Sequence, residues 1–305
     1  MKRPRPTPDI DFVFHPEHDA AYRHFDGHGT VPFDAQATHV TRAHAWWLAE
    51  AALLTYWDPS DAIARFAAAG LTAEPIAGGD TQLYVTFSAD AVLVVFRGTE
   101  ADRFGDMFDN AQFGLENWTH APGSVHAGFR RALERIWAPL EARLAALSAT
   151  RTVWFGGHSL GAALATLAAS RYPRTAGVAT IASPRVGDRL FAAAFDARFG
   201  DRSLRYANDT DIVTHIPPPL PPPFTRSYTH VGQLRHILPD GRITTEPPRL
   251  THFVRDVFGD VGHLQDVVRA LEAKAMRRAP DFLLDHMPRG YTVDIWNDLV
   301  ANRAT

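Results

Sequence analysis

The sequence predicts an α/β fold with a mostly parallel central sheet and helices on both faces. Three observations carry this. Short apolar, β-branched runs alternate with helical stripes along most of the chain, the pattern of strands buried between helices. A G-x-S-x-G turn, Gly157-His158-Ser159-Leu160-Gly161, joins one such run to an Ala-rich helical stretch. The 305 residues are 46% hydrophobic and 21% charged, a globular composition that can bury a sizeable core.

Taken in order, residues 1–33 are rich in Pro, His and Asp with little periodicity and read as an irregular arm, its Lys2, Arg3 and Arg5 a solvated tail. Residues 34–305 read as a single domain, because no long polar linker or internal repeat interrupts them. Val40, Ala43, Trp47, Ala51 and Leu54 form one helical stripe within 39–57, which Pro59 stops. A short helix over 61–69 ends at Gly70. Residues 83–87 and 92–96 are strands; 98–124 hold no regular element. Leu133, Ile136, Trp137, Leu140, Leu144 and Leu147 give a further stripe that Pro139 should kink or restart. Strands follow at 153–155, 178–181 and 204–206, with helices at 160–172 and 190–199 between them. The PPPLPPP run at 217–223 is a stiff extended loop.

Composition removes several function classes. A net charge of −3 gives no global basic field for nucleic acid or an anionic membrane surface. The absence of cysteine excludes a disulfide scaffold, a thiolate zinc site, an iron–sulfur cluster and a cysteine nucleophile. No apolar run approaches the ~18 residues of a transmembrane span. The first ten residues have a basic start but no apolar core of a secretory signal. The expectation is a chain that is cytoplasmic or exported without a visible leader.

A G-x-S-x-G match alone is weak: at ~7% for Gly and Ser, roughly 0.1 is expected by chance in a chain this long. The context sharpens it. Val153-Trp154-Phe155 runs in and a helix with Ala162, Ala163 and Ala165 runs out, the setting of a nucleophile elbow. Such a turn exposes the Ser159 hydroxyl, lets strand and helix approach closely, and aims unpaired helix N–H groups at a developing oxyanion.

Further blocks extend the pattern. They are Phe96-Arg97-Gly98-Thr99, Val125-His126-Ala127-Gly128-Phe129, Ser183-Pro184-Arg185-Val186-Gly187-Asp188, Asn208-Asp209-Thr210-Asp211-Ile212-Val213, and Asp285-His286 with Tyr291. In these blocks and their order the sequence resembles the class 3 (fungal-type) lipases, over about residues 40–300. It departs from them at Ala182, where the family has glycine, and at Thr214, where it has proline.

The resemblance implies the α/β-hydrolase fold and a Ser–Asp–His triad in that chain order: Ser159, Asp211 and a histidine. It implies an oxyanion hole from the Leu160 N–H and Thr99, with neither metal nor cofactor. Asp209 is the alternative acid, read otherwise as a turn residue bonding its own backbone.

Two histidines compete for the base. His263 lies on the stripe of Asp256, Asp260, Val267 and Lys274 within a predicted helix, a largely solvated face. His286 precedes Met287-Pro288, and Pro288 biases Met287 away from helix, so His286 should sit on a loop. The expectation is His286 as base, with a helical insertion at about 251–278 before it. His126, His158 and His230 read as structural, and Arg97 as a buried, paired charge.

Phe104, Met107, Phe108, Phe113, Leu115 and Trp118, against Asp102, Asp106, Asp109 and Glu116, could form an amphipathic lid at about 100–120 that meets a lipid interface transiently. Three functions follow. The first is a carboxylic-ester hydrolase acting on acylglycerols. The second is an esterase for smaller or aromatic esters such as feruloyl esters, and the third a non-catalytic binding protein on the same fold.

Overall fold

The computed structural model describes residues 1–7, 11–12, 15–19, 21–98, 114–208, 211–217, 227–247 and 284–302. The 251–278 insertion, His263, Thr99, Asp209 and most of the expected lid and proline loop lie outside them.

Twelve strands among these residues form two sheets. The larger has the order β1 (Thr72–Gly78), β2 (Thr81–Phe87), β3 (Ala91–Phe96), β6 (Thr152–His158), β7 (Thr175–Ile181), β9 (Ser203–Asn208), β11 (Gln233–Ile237) and β12 (Ile243–Thr244). From β3 through β11 the five central strands are parallel; β1, β2 and β12 run antiparallel at the two ends. The fold is that of the α/β hydrolases. The central strands read as apolar runs because both their faces are covered, as all six residues of β3 are.

Helices α1 (Arg42–Leu54), α2 (Pro59–Ala68) and α6 (Pro288–Ala301) pack on one face; α3 (Ala127–Leu147), α4 (Leu160–Arg171) and α5 (Arg189–Phe199) pack on the other. Each face has its own apolar cluster: Trp46, Leu53, Phe66, Tyr206 and Tyr291 on the first, and Phe96, Trp137, Leu140, Phe155 and Phe191 on the second. None of the helices among the described residues is long and apolar enough to cross a membrane.

A small antiparallel sheet, β10 (Tyr228–Thr229), β8 (Gly187–Asp188), β5 (Ser124–His126) and β4 (Leu115–Asn117), occupies part of the stretch expected to be irregular. It joins two of the sequence blocks. Asp188 accepts the Ser124 N–H at 3.0 Å and caps α5 through the Phe191 N–H at 2.9 Å. Helix α3 also departs from expectation: it continues through Pro139 without a restart. Pro139 is exposed, so its ring takes no core volume, while the buried stripe on either side holds both turns to the sheet.

The N-terminal arm departs more. Arg3 is not solvated: its side chain is 15% exposed and donates to Glu50 and to the Tyr22 hydroxyl, both at 2.8 Å. Its guanidinium stacks over Trp296 at 4.3 Å. Its backbone pairs with Asn297 in both directions, at 2.7 and 2.9 Å, and Arg5 grips Asp294 with two bonds of 2.7 Å. The cause is Glu50. It is completely buried in α1, and a buried carboxylate needs partners, which Arg3, Tyr22 and Trp46 supply.

Candidate active site

Strand β6 passes into helix α4 at Ser159, whose φ of 58° and ψ of −128° lie outside the regions a serine normally adopts. Such backbone strain costs on the order of 1–3 kcal/mol and persists only when the surroundings over-determine it. Here they do. A Cβ on Gly157 would come within 2.4 Å of the Gly161 backbone, and one on Gly161 within 2.2 Å of the Phe96 carbonyl oxygen. The Ser159 N–H is held by the Ile181 carbonyl at 3.0 Å. Ser159 is fully buried rather than exposed as the turn alone predicts, and its hydroxyl has no hydrogen-bond partner among the described residues. Leu160 opens α4, so its N–H is one of the first-turn donors that lack an intrahelical acceptor.

Asp211 follows β9 and caps a 3₁₀ turn, Ile212–His215, accepting the Val213 N–H at 3.0 Å. It is completely buried. His286 stands two residues before α6, in the turn expected of it, and its Nδ1 lies 2.9 Å from both Asp211 oxygens. Tyr291, in the first turn of α6, donates its hydroxyl to Asp211 Oδ2 at 2.6 Å and accepts the Asn208 N–H at 2.7 Å. Burial first, then the Asp211 charge, push the Tyr291 phenol well above its usual pKa, which keeps it a donor. The Asn208 amide donates to the Asp285 carbonyl at 3.1 Å. Two blocks 77 residues apart in sequence therefore close on each other.

His158 connects them to the elbow. Its Nε2 donates to the His286 carbonyl oxygen at 2.8 Å, and its Nδ1 accepts from the Tyr56 hydroxyl at 2.9 Å. The His158 and His286 ring centroids are 4.6 Å apart. Burial, then the neighbouring His286, hold the His158 pKa well below normal, so this ring is neutral.

The remaining residues singled out by sequence hold the frame. His126 caps α3 through the Gly128 and Phe129 N–H groups at 3.1 and 3.3 Å; burial and then Arg131 lower its pKa to about 4. His230 bonds the Thr214 carbonyl at 2.7 Å. Arg97 bonds Gln82 at 2.9 Å and lies over the Tyr56 ring. Arg185 ties down the segment after Asp211 through the carbonyls of His215 and Pro217. Tyr56 escaped the sequence reading altogether, being one of several aromatics in and just after an apolar helix. Among the described residues, the groups close enough to share a cation are His15, Glu17 and His18, in a turn near the N-terminus; Ser159, Asp211 and His286 do not belong to that cluster.

Residues 93–220 match the family model described as Lipase (class 3). A solved structure, lipase II from Rhizopus niveus, superposes with a TM-score of 0.51 at 26% identity, over 66% of this chain and 83% of that one. Over residues 93–220 the chain is similar to the class 3 lipases, and it shares the fold of the solved lipase. A lipase of Caenorhabditis elegans is 33% identical over 143 residues, 41% of this chain and 38% of the relative. A secreted mono- and diacylglycerol lipase of Fusarium solani is 38% identical over 117 residues, 36% of this chain and 34% of the relative. The chain thus spans little more than a third of the length of these two relatives. The class 3 match contains Ser159 and Asp211 and stops well before His286, which comes to the site through its contacts alone.

Proposed function

We propose that the protein is a serine carboxylic-ester hydrolase acting on acylglycerols, with Ser159, Asp211 and His286 as its triad. The observation that carries this is the pairing of His286 Nδ1 with Asp211, made beside a strained, buried serine elbow. An Nδ1–H directed at a carboxylate leaves Nε2 as the nitrogen with the lone pair, the form a general base needs. His286 takes the Ser159 proton as Oγ attacks the ester carbonyl. Asp211 steadies the imidazolium that results. The tetrahedral oxyanion is held by the Leu160 N–H and by Thr99. His286 then protonates the leaving alcohol, giving an acyl-enzyme. Water attacks this ester with the same base, and the carboxylic acid departs.

The acylglycerol assignment is supported by the Fusarium solani relative, named a mono- and diacylglycerol lipase. The test is a hydrolysis panel of mono-, di- and triacylglycerols beside 4-nitrophenyl esters from C2 to C16 and a feruloyl ester, run below and above each substrate's solubility limit. Acylglycerol turnover abolished by Ser159→Ala supports the reading. Turnover confined to short or aromatic esters makes the protein an esterase instead. No covalent labelling by a fluorophosphonate rejects both.

A further inference from the structure

We propose that Tyr56 is a positioning residue of this site, acting through His158 on the main chain of His286. The inference rests on the hydrolase reading above. Tyr56 sits in the turn after α1, 102 residues from His158, and is 7% exposed. Its hydroxyl meets His158 Nδ1 at 2.9 Å, and His158 Nε2 meets the His286 carbonyl oxygen at 2.8 Å.

These two bonds fix each other's direction. A carbonyl oxygen only accepts, so the Nε2 proton belongs to His158. A neutral imidazole then has one lone pair left, at Nδ1, and the phenol must donate to it. A single tautomer satisfies both contacts. Turning the ring over would exchange nitrogen for carbon at both ends and lose both bonds in a buried place.

His286 is thereby held at two points. Asp211 grips the ring at Nδ1, and His158 grips the backbone carbonyl of the same residue. A ring pinned only by Asp211 could still pivot about that contact. Holding the main chain as well sets where Nε2 points, and His158 is the residue directly before Ser159. The reference point for the base is thus the elbow itself.

Tyr56 also touches the strand exit that leads to Thr99. A Cβ on Gly98 would lie 2.1 Å from the Tyr56 hydroxyl and 2.9 Å from the His158 carbonyl oxygen. The absence of a side chain at Gly98 is what admits the phenol. The turn after α1, the exit of β3 and the elbow therefore meet at one hydroxyl, and His158 carries the contact on to the turn before α6.

Without that hydroxyl the Nδ1 lone pair is buried and unpaired. The proton can move to Nδ1, and the His286 carbonyl loses its donor. Displacing a catalytic group by about 1 Å costs up to roughly a hundredfold in rate. The proposal is tested on the full chain with a soluble short-chain 4-nitrophenyl ester, rates being divided by the number of sites a fluorophosphonate titrates to completion. Tyr56→Phe is expected to lower kcat per site roughly tenfold or more, with KM within about twofold. His158→Leu should do the same, and His158→Gln, which keeps an N–H near the Nε2 position, should recover much of the loss. A per-site kcat unchanged in Tyr56→Phe overturns the proposal even if thermal stability falls, because that is the mark of packing alone. Should Tyr56→Phe not fold, equal per-site rates in His158→Gln and His158→Leu overturn it. A wild-type protein that is neither labelled nor hydrolytic sinks the underlying hydrolase reading, and is seen before any variant is made.

Discussion

Tyr291 and His286 share one acceptor: the Tyr291 hydroxyl lies 2.6 Å from the Asp211 Oδ2 that the His286 Nδ1 approaches at 2.9 Å. With the Val213 N–H on Oδ1, the buried carboxylate has donors on both oxygens. Its orientation is thereby fixed, which suits the role proposed for it, steadying an imidazolium.

Tyr291→Phe removes a donor from Asp211 and the acceptor of the Asn208 N–H, both buried. We expect a stability loss of about 1–3 kcal/mol in urea unfolding, with m unchanged, and a lower kcat. Unaltered values for both would mean that water replaces the phenol without cost.

Ser159→Ala should abolish ester hydrolysis and leave the circular dichroism spectrum as it is. Removal of a triad nucleophile costs several orders of magnitude. Activity within tenfold of the wild type contradicts the elbow assignment.

The base is tested by paired variants. His286→Ala should be inactive and His263→Ala active, each checked for folding. An inactive His263→Ala beside an active His286→Ala would reverse the assignment and make the Asp211–His286 contact structural.

Arg3→Ala strips the buried Glu50 carboxylate of its cation. Breaking such a pair costs about 3–5 kcal/mol, because an uncompensated charge stays buried. The double variant Arg3→Ala with Glu50→Gln should recover part of this in the same unfolding assay. A loss under about 0.5 kcal/mol in the single variant would show that the arm contributes nothing.

His24 supplies the pH dependence. Burial first, then Arg65 and Arg3, lower its pKa to about 3, and its side chain is 1% exposed. Its folded pKa is thus below the unfolded value of about 6.5. The unfolded chain takes up the proton more readily, so this contribution is complete above pH 6.5 and is lost as pH falls toward 3. His24→Leu should flatten the decline in unfolding midpoint between pH 6.5 and 4. An identical slope in both proteins would assign the acid sensitivity to other groups.

The central strands and the elbow were legible because their signals are local. A run of apolar residues marks a strand covered on both faces, and Gly157 and Gly161 mark a tight strand-to-helix turn. His286 was legible through Pro288, whose effect on its neighbour is steric. What escaped depends on distant partners. Strand β1 contains Pro75, which an edge strand tolerates but which breaks the usual strand pattern. Strands β4, β5 and β8 are two or three residues long, too short for any periodicity. Arg3 gave the wrong expectation because a basic tail is ordinarily solvated. The missed clue was Glu50, an acid on a helix whose residues from His44 to Leu54 are all buried. Tyr56 had no local signal, since its role lies in a contact 102 residues away.

The stapling of residues 1–5 along α6 bears on how this protein opens. Helix α6 follows directly from His286 and carries Tyr291, so any fraying at its start would draw both away from Asp211. Helices at the edge of a fold usually exchange their amide hydrogens through low-energy local openings. Here Met1, Arg3 and Arg5 bind Trp296, Asn297 and Asp294, and Arg3 continues to Glu50 in α1. Opening α6 therefore breaks into the core beneath the sheet. The amides of α6 and of α1 should exchange together, on the timescale of whole-domain unfolding, and the site's chemistry would then persist for as long as the fold itself does.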